Sequence, residues 1–247
     1  MSLHFDINAE AYDAMIDWPK RLAAETPFYY RLFDRFQART VLDAACGTGR
    51  HAAMFANWGL EVQAADLNPD MIAHCRTTYV QAQNLNWIQR SFCAPADRQF
   101  DVVLCTGNSL AVLDDSKQIE QAISAMLQSV RPGGALVVHV VNVFSRPEGP
   151  TRWDKSVRMR LSKGDCLITK GIHRCGDWGY VDFLLTHLEG GQSELSAHSI
   201  RFQGFRADPL AAIATRHGAQ TIEFLGGYDQ QPYNESTSPD LIMIASP

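Results

Sequence analysis

Residues 41–51, VLDAACGTGRH, constrain this chain more than any other stretch. Val41 and Leu42 end a short apolar run of the kind that fits a buried strand. Asp43-Ala44-Ala45-Cys46-Gly47-Thr48-Gly49 then offers only small residues, and from Arg50 onward Ala52, Ala53, Phe55 and Ala56 return at helical spacing. A strand, a glycine loop and a helix in that order let backbone approach a ligand closely. Glycine removes the Cβ that would hold a ligand off, and it tolerates positive φ. The helix start adds unpaired N–H groups and the positive end of its dipole.

A second acidic residue narrows the ligand. Residues 60–65 read as the next strand, and Asp66 stands at its end, where α/β nucleotide-type sites hold ribose hydroxyls. Asp66-Leu67-Asn68-Pro69 is also good helix N-terminal chemistry, and the two roles are compatible. A nicotinamide site would use G-x-G-x-x-G, but the third small position here is Ala52. Asp43 would repel a pyrophosphate. An acid there suits a cationic ligand end, such as an ammonium or a sulfonium.

Further along, residues 69–83 carry a helical stripe (Met71, Ile72, Cys75, Tyr79), and residues 86–89 form a short strand. Residues 100–105 are a buried run beginning Phe-Asp, followed by a helix over 114–130 that Arg131-Pro132-Gly133-Gly134 should stop. Residues 135–143 give a fifth strand. Alternating strands and helices predict an α/β fold with a doubly wound, mostly parallel, seven-stranded sheet. Residues 145–205 break the rhythm with alternating stretches and turns such as Cys175-Gly176-Asp177, the pattern of an antiparallel β insertion after the fifth strand. A helix from Asp208 and strands near 220–225 and 241–245 close the chain. Before the first core strand lie aromatic-rich residues 9–18 and 26–37, read as two helices, the second opening with Thr26 as N-cap and Pro27 at N1. The expected division is a helical lid over 1–39, a core over 40–144 and 207–247, and the insertion over 145–206, which reaches over the site.

Composition sets limits. A net charge of −5 without a lysine or arginine cluster gives no footprint for nucleic acid. The six cysteines contain no C-x-x-C pair, so neither a metal site nor a disulfide framework is expected. No run approaches a membrane span and no basic leader opens the chain, so a soluble, cytoplasmic protein without membrane association is expected. The oligomeric state is left open, a homo-oligomer included.

Asp43 to Gly49 resembles motif I of the class I S-adenosylmethionine-dependent methyltransferases, D/E-x-x-x-G-x-G, at every fixed position. The resemblance implies S-adenosyl-L-methionine as cofactor, with Asp43, Ala45, Gly47 and Gly49 around it and Asp66 on its ribose. It also implies Leu67, Met71, Ser91, Phe92 and Cys105 near the adenine end. The lid of related enzymes places an arginine on the cofactor carboxylate, which here points to Arg21, with Tyr12 in the same segment. Arginine's planar fork pairs bidentately with a carboxylate.

Phe100-Asp101, Gly107-Asn108-Ser109-Leu110-Ala111 and Arg131-Pro132-Gly133-Gly134 together resemble the glycine and sarcosine N-methyltransferases, and the insertion sits where those enzymes and amino-sugar N-methyltransferases carry theirs. That resemblance implies a small-molecule acceptor whose amine is held by the Asn108 amide oxygen. Asn108 capping a turn after its strand is the alternative. The group's arginine in an R-N pattern is replaced by Val141-Asn142, and its histidine after N-S-x-A by Val112, so glycine itself is disfavoured and a bulkier or less acidic acceptor fits better. His139, on the fifth strand, leads His173, His187 and His198 as a base, with Tyr228 and Tyr233 as hydroxyl partners. N-methylation is the first reading. O-methylation, a nicotinamide-dependent oxidoreductase and a cofactor-binding protein without turnover are the alternatives.

Overall fold

The structure, a computed structural model, describes residues 13, 15–80, 83–161, 164–188 and 194–247. Five strands come first: β1 (Thr40–Asp43), β2 (Glu61–Asp66), β3 (Leu85–Gln89), β4 (Phe100–Cys105) and β5 (Val130–Val141). They are followed by β6 (Arg152–Leu161), β7 (Gly164–Cys175), β8 (Trp178–His187), β9 (Glu194–Gln203), β10 (Thr221–Leu225) and β11 (Asp240–Ser246). The helices are α1 (Trp18–Arg35), α2 (Arg50–Asn57), α3 (Pro69–Thr78), α4 (Ser116–Gln128) and α5 (Ala207–Arg216).

Seven strands form one sheet in the order β10-β11-β5-β4-β1-β2-β3, in which β11 alone runs against its neighbours. The expected doubly wound α/β sheet is present, and β6-β7-β8-β9 form a separate antiparallel sheet inserted after β5. On one face α1, α2 and α3 bury Phe28, Leu32, Phe55, Ile72 and Cys75, while α4 and α5 bury Ile123, Met126 and Leu210 on the other. Strand order reverses between β1 and β4. Ligands of open α/β sheets bind at the carboxyl ends of strands at such a point. No helix among the described residues is long and apolar enough to cross a membrane.

Three local expectations are corrected. Thr26-Pro27 does not begin a helix, because α1 runs through both from an Asp17 cap with Pro19 in its first turn. A proline inside a helix leaves the carbonyl four residues earlier without a donor. The chain tolerates it because Phe28, Tyr29, Leu32 and Phe33 lie on one buried stripe. The helix expected over 9–18 falls mostly outside the described residues. α3 ends at Thr78, short of 83, where the Tyr79 ring leaves the helix to stack on Trp87.

The third correction concerns Arg131-Pro132-Gly133-Gly134. α4 already ends at Gln128, and these four residues lie inside β5, where its register against β4 shifts. A Cβ on Gly134 would stand 2.4 Å from the Asp101 carbonyl oxygen, so only glycine lets β5 close on β4 there. Asp101 fastens the same corner. Its Oδ2 accepts from the backbone N–H groups of Arg39 and Thr40, both at 2.7 Å, and its Oδ1 pairs with Arg131. Burial pushes this carboxyl up, but the Arg131 guanidinium and the backbone donors outweigh it and hold it at about 2, below the ordinary 3.8. A depressed carboxylate stabilises the fold above its unfolded pKa, and the benefit fades as pH falls through the window. Asp101→Asn is therefore expected to lose about 2 kcal/mol of unfolding free energy at pH 7. Urea melts should show the gap to wild type narrowing from about pH 4 towards pH 2.

Candidate functional site

Backbone hydrogen bonds position the glycine loop between two strand tips. Ala44 N–H donates to the Leu104 carbonyl at 2.8 Å and Cys46 N–H to the Ala65 carbonyl at 2.9 Å. Gly47 and Gly49 both have positive φ, +53° and +78°. Their surroundings differ. A Cβ on Gly49 would meet the Trp87 ring at 2.5 Å and the Cys75 sulfur at 2.9 Å, whereas one on Gly47 would meet nothing within 4 Å. Gly49 is a packing glycine, and Gly47 faces open space.

Asp43 and Asp66 flank that space. Asp66 Oδ2 accepts from Gly47 N–H and Oδ1 from Asn68 N–H, each at 2.9 Å. The N-cap of α3 is Asn68, whose side chain accepts from Asp70 N–H, so Asp66 braces the loop and does not cap the helix itself. Burial raises its carboxyl, opposed by those backbone donors. A carboxylate accepts about four hydrogen bonds, so Asp66 keeps acceptor capacity for hydroxyls. Asp43 is only 2% exposed, and its Oδ1 has no hydrogen-bond partner. Burial, partly offset by the Ala45 N–H and reinforced by Asp66, pushes its carboxyl up to about 7. A buried acid with an orphaned oxygen beside an open glycine cradle fits the cationic amino-acid end of S-adenosylmethionine.

Leu67 follows directly and is 66% exposed, a large apolar side chain open to solvent beside Asp66. Met71 is buried beneath α3, and Phe92 is half-buried against the core. Ser91 Oγ accepts from Cys93 N–H at 3.1 Å, shaping the turn after β3. Ala45 is half-buried within the loop. Cys105 departs from expectation. Its thiol is sealed in the core, pushed up by burial and by nearby Asp43, so only its backbone can border the site.

Tyr12 lies outside the described residues. Arg21 sits on α1, its Nε donating to Glu25 at 2.8 Å and its guanidinium over the Trp18 ring. Glu25 in turn lies 2.5 Å from Nε2 of His51, in the first turn of α2. Burial pushes the Glu25 carboxyl up, but His51 and Arg21 outweigh it and bring it below its ordinary value. A second tie comes from Asp13, which accepts from the Thr48 hydroxyl at 2.7 Å and pairs with Arg50. Thr48, His51 and Arg50 thus moor the N-terminal segment beside the glycine loop. Sequence reading missed Asp13, Glu25 and His51, although the Arg21/Glu25 spacing of four on a helix was a visible signal.

Beyond the loop, Gly107-Asn108 follows β4 with successive positive φ, +72° and +74°. The Asn108 amide oxygen accepts from Val141 N–H at 3.0 Å, a strut from the β4 turn to the tip of β5, and keeps a second lone pair. Its Nδ2 carries the remaining donors. His139 is also tied to its neighbours. Nδ1 accepts from Gly107 N–H at 3.2 Å, and Nε2 lies 3.4 Å from Asp240. The lone pair of Nδ1 is thus engaged by a backbone donor. His139 fixes the turn. His173 is engaged by Asp182 at 2.8 Å and stacked on Tyr180. The Tyr228 hydroxyl lies 3.5 Å from that of Tyr29 beneath α1, and the Tyr233 hydroxyl is buried without a partner.

Known proteins resemble this arrangement. A family described as "Methyltransferase domain" matches residues 41–134, which carry the glycine loop, both aspartates and the β4 turn. The glycine/sarcosine N-methyltransferase of Parasynechococcus marenigrum is 26% identical over 90% of this chain and 77% of its own length. In fold, the chain is similar to the sugar N-methyltransferase KedS8 from Streptoalloteichus sp ATCC 53650, with TM-score 0.77, 21% identity, and 100% and 96% of the two chains covered. Streptomyces venezuelae DesVI gives TM-score 0.76 at 19% identity, covering 100% of this chain and 99% of its own. With a buried carboxylate whose Oδ1 lacks a hydrogen-bond partner and an open glycine at the β1 tip, the chain is a class I S-adenosylmethionine-dependent methyltransferase, distantly homologous to the glycine/sarcosine N-methyltransferases.

Proposed function

We propose that this enzyme methylates an amine nitrogen of a small molecule. The supporting observation is the commitment of His139, the histidine at the β4–β5 edge, to Gly107 N–H. Oxygen acceptors such as phenols need a base to take the proton as the nucleophile forms. An amine that enters as the free base brings its own lone pair and needs only to be held in line. The Parasynechococcus marenigrum relative and KedS8 carry N-methyltransferase names, in agreement with this reading.

When bound, the sulfonium supplies an activated methyl group with its leaving group already in place. The protein contributes binding, alignment and exclusion of water. Asp43 would hold the ammonium of the cofactor's amino-acid end, Asp66 the ribose hydroxyls, Leu67 and Phe92 the base, and Arg21 the carboxylate. Residues 1–39 would act as the lid, with Asp13 as its mooring, and 145–206 as the roof of the acceptor side. Asn108 Nδ2 and the turn held by His139 would border the acceptor.

Calorimetry with S-adenosylhomocysteine tests the cofactor assignment. Asp66→Ala is expected to weaken binding by about 1–3 kcal/mol, as for a lost hydrogen bond to a buried group. Asp66→Asn, which can still accept from Gly47 N–H, should lose less. Unchanged affinity in both would remove Asp66 from the ribose site. Radiolabelled methyl transfer to paired amine and phenol panels tests the acceptor class, with label on the amines expected and label confined to phenols refuting it.

A further inference from the structure

The N-terminal helix and the helix that follows the glycine loop share one buried carboxylate. Glu25 Oε1 accepts from Arg21 Nε at 2.8 Å, one turn back along α1. Its Oε2 lies 2.5 Å from Nε2 of His51, in the first turn of α2, and an ionised carboxylate only accepts, so His51 donates. Two rings meet His51 steeply inclined to it, Trp18 at 5.8 Å and Tyr29 at 5.6 Å, and fix its orientation. Arg21 keeps 26% of its side chain exposed, whereas Glu25 and His51 keep 6% and 10%. A ligand can therefore reach the arginine far more readily than the two groups behind it.

A buried carboxylate is costly unless it is paired, and His51 alone would supply a partner. What the second oxygen adds is a fixed arginine. A long arginine side chain otherwise samples many rotamers, and ordering it costs entropy. With Nε held by Glu25, the end of the fork, Nη1 and Nη2, is turned away from that carboxylate, and this pair of nitrogens can meet another carboxylate bidentately. The Trp18 ring lies under the guanidinium, 5.2 Å from its central carbon. Trp18 Nε1 is buried and has no hydrogen-bond partner among the described residues. A buried N–H without an acceptor is costly, and the carboxylate that Arg21 would hold supplies an acceptor next to it.

We propose that Glu25 and His51 are positioning residues for cofactor recognition. Glu25 holds Arg21 Nε so that the fork faces the cofactor's carboxylate, and His51 ties Glu25 to the helix that begins at the glycine loop. The inference rests on the reading of Arg21 as the partner of that carboxylate. Its consequence is selective. Loosening the relay costs affinity only for ligands that carry the carboxylate, whereas a merely structural tie between α1 and α2 would weaken every adenosyl ligand alike.

The test is calorimetric titration of two ligands into the full chain: S-adenosylhomocysteine, and S-adenosyl-3-thiopropylamine, the same molecule without its carboxylate. Wild type is expected to prefer the first by about tenfold or more, as for a charged hydrogen bond. Arg21→Met should abolish that preference. Glu25→Ala and His51→Phe should each remove most of it, weakening S-adenosylhomocysteine by about tenfold and leaving the amine ligand unchanged. Glu25→Gln, whose amide oxygen can still accept from Arg21 Nε, should restore part of it. Arg35→Met, which breaks the exposed pair of α1 with Glu223, should leave both affinities unchanged. Equal losses for the two ligands in the Glu25 and His51 variants, or an intact preference there, overturn the proposal. Should Glu25→Ala fail to fold, Glu25→Gln and His51→Phe decide it through the same ratio. If wild type shows no preference, or Arg21→Met keeps it, the reading of Arg21 is at fault and the relay falls with it. If wild type binds neither ligand, the cofactor assignment itself falls.

Discussion

At pH 8 the Asp43→Asn protein is expected to unfold at a higher temperature than wild type and to have lost most of its affinity for S-adenosylhomocysteine. Both effects follow from one buried carboxylate. Its pKa is raised from 3.8 to about 7, so in that window the folded protein holds a proton that the unfolded chain has released. Stability of the free protein therefore falls as pH rises from about 4 to about 7, by about 4 kcal/mol at most, and stays low above it. Asparagine removes the charge but leaves an unpaired amide donor in place of the orphaned oxygen, which returns part of the gain. About 2 kcal/mol of net stabilisation at pH 8 is the expected balance. At pH 4 the advantage should vanish or reverse. Binding moves the other way, because the ammonium loses its charged partner, a loss of about 10- to 100-fold. In wild type, cofactor affinity should fall about tenfold per unit below pH 7, since the ligand needs the ionised acid. Differential scanning calorimetry at pH 8 and pH 4 with parallel binding titrations reads all of this. A destabilised Asp43→Asn with intact binding would contradict both halves.

The paired substitutions Gly47→Ala and Gly49→Ala are expected to fail in different ways. Both glycines have positive φ, which costs an alanine about 1 kcal/mol. At Gly49 the new methyl would also press into the Trp87 ring and the Cys75 sulfur, between β3 and α3. Overpacking of a tight core costs about 1–3 kcal/mol more, so Gly49→Ala should lose about 3 kcal/mol in urea unfolding. At Gly47 the methyl enters open space, so the fold should lose little beyond the backbone strain. In the proposed site the cofactor lies against the backbone there, so Gly47→Ala should fold and bind S-adenosylhomocysteine poorly. Equal stability losses with equal binding would show that Gly47 does not face the ligand.

The glycine loop and the aspartates on β1 and β2 were legible in the sequence because each signal is local. Small residues between a strand and a helix leave few backbone paths, and an acid at a strand end has one place to point. Element boundaries were less legible where long-range packing overrode local chemistry. Thr26-Pro27 reads as a helix start, yet the stripe from Phe28 to Phe33 carries α1 through it. Arg131-Pro132-Gly133-Gly134 reads as a stop, yet Asp101 and the close approach of β4 draw it into β5.

The acceptor side shows the limit most plainly. Asn108 and His139 were visible as polar residues near a strand end. What they do was set by Val141 N–H, Gly107 N–H and Asp240, on other strands or turns. The sequence by itself determined the strand–loop–helix cradle and the charge of its ligand, because spacing and residue size act within a few bonds. Folding alone settled which carboxylate oxygen stays unpartnered and which ring nitrogen is taken, because each depends on partners brought close in space.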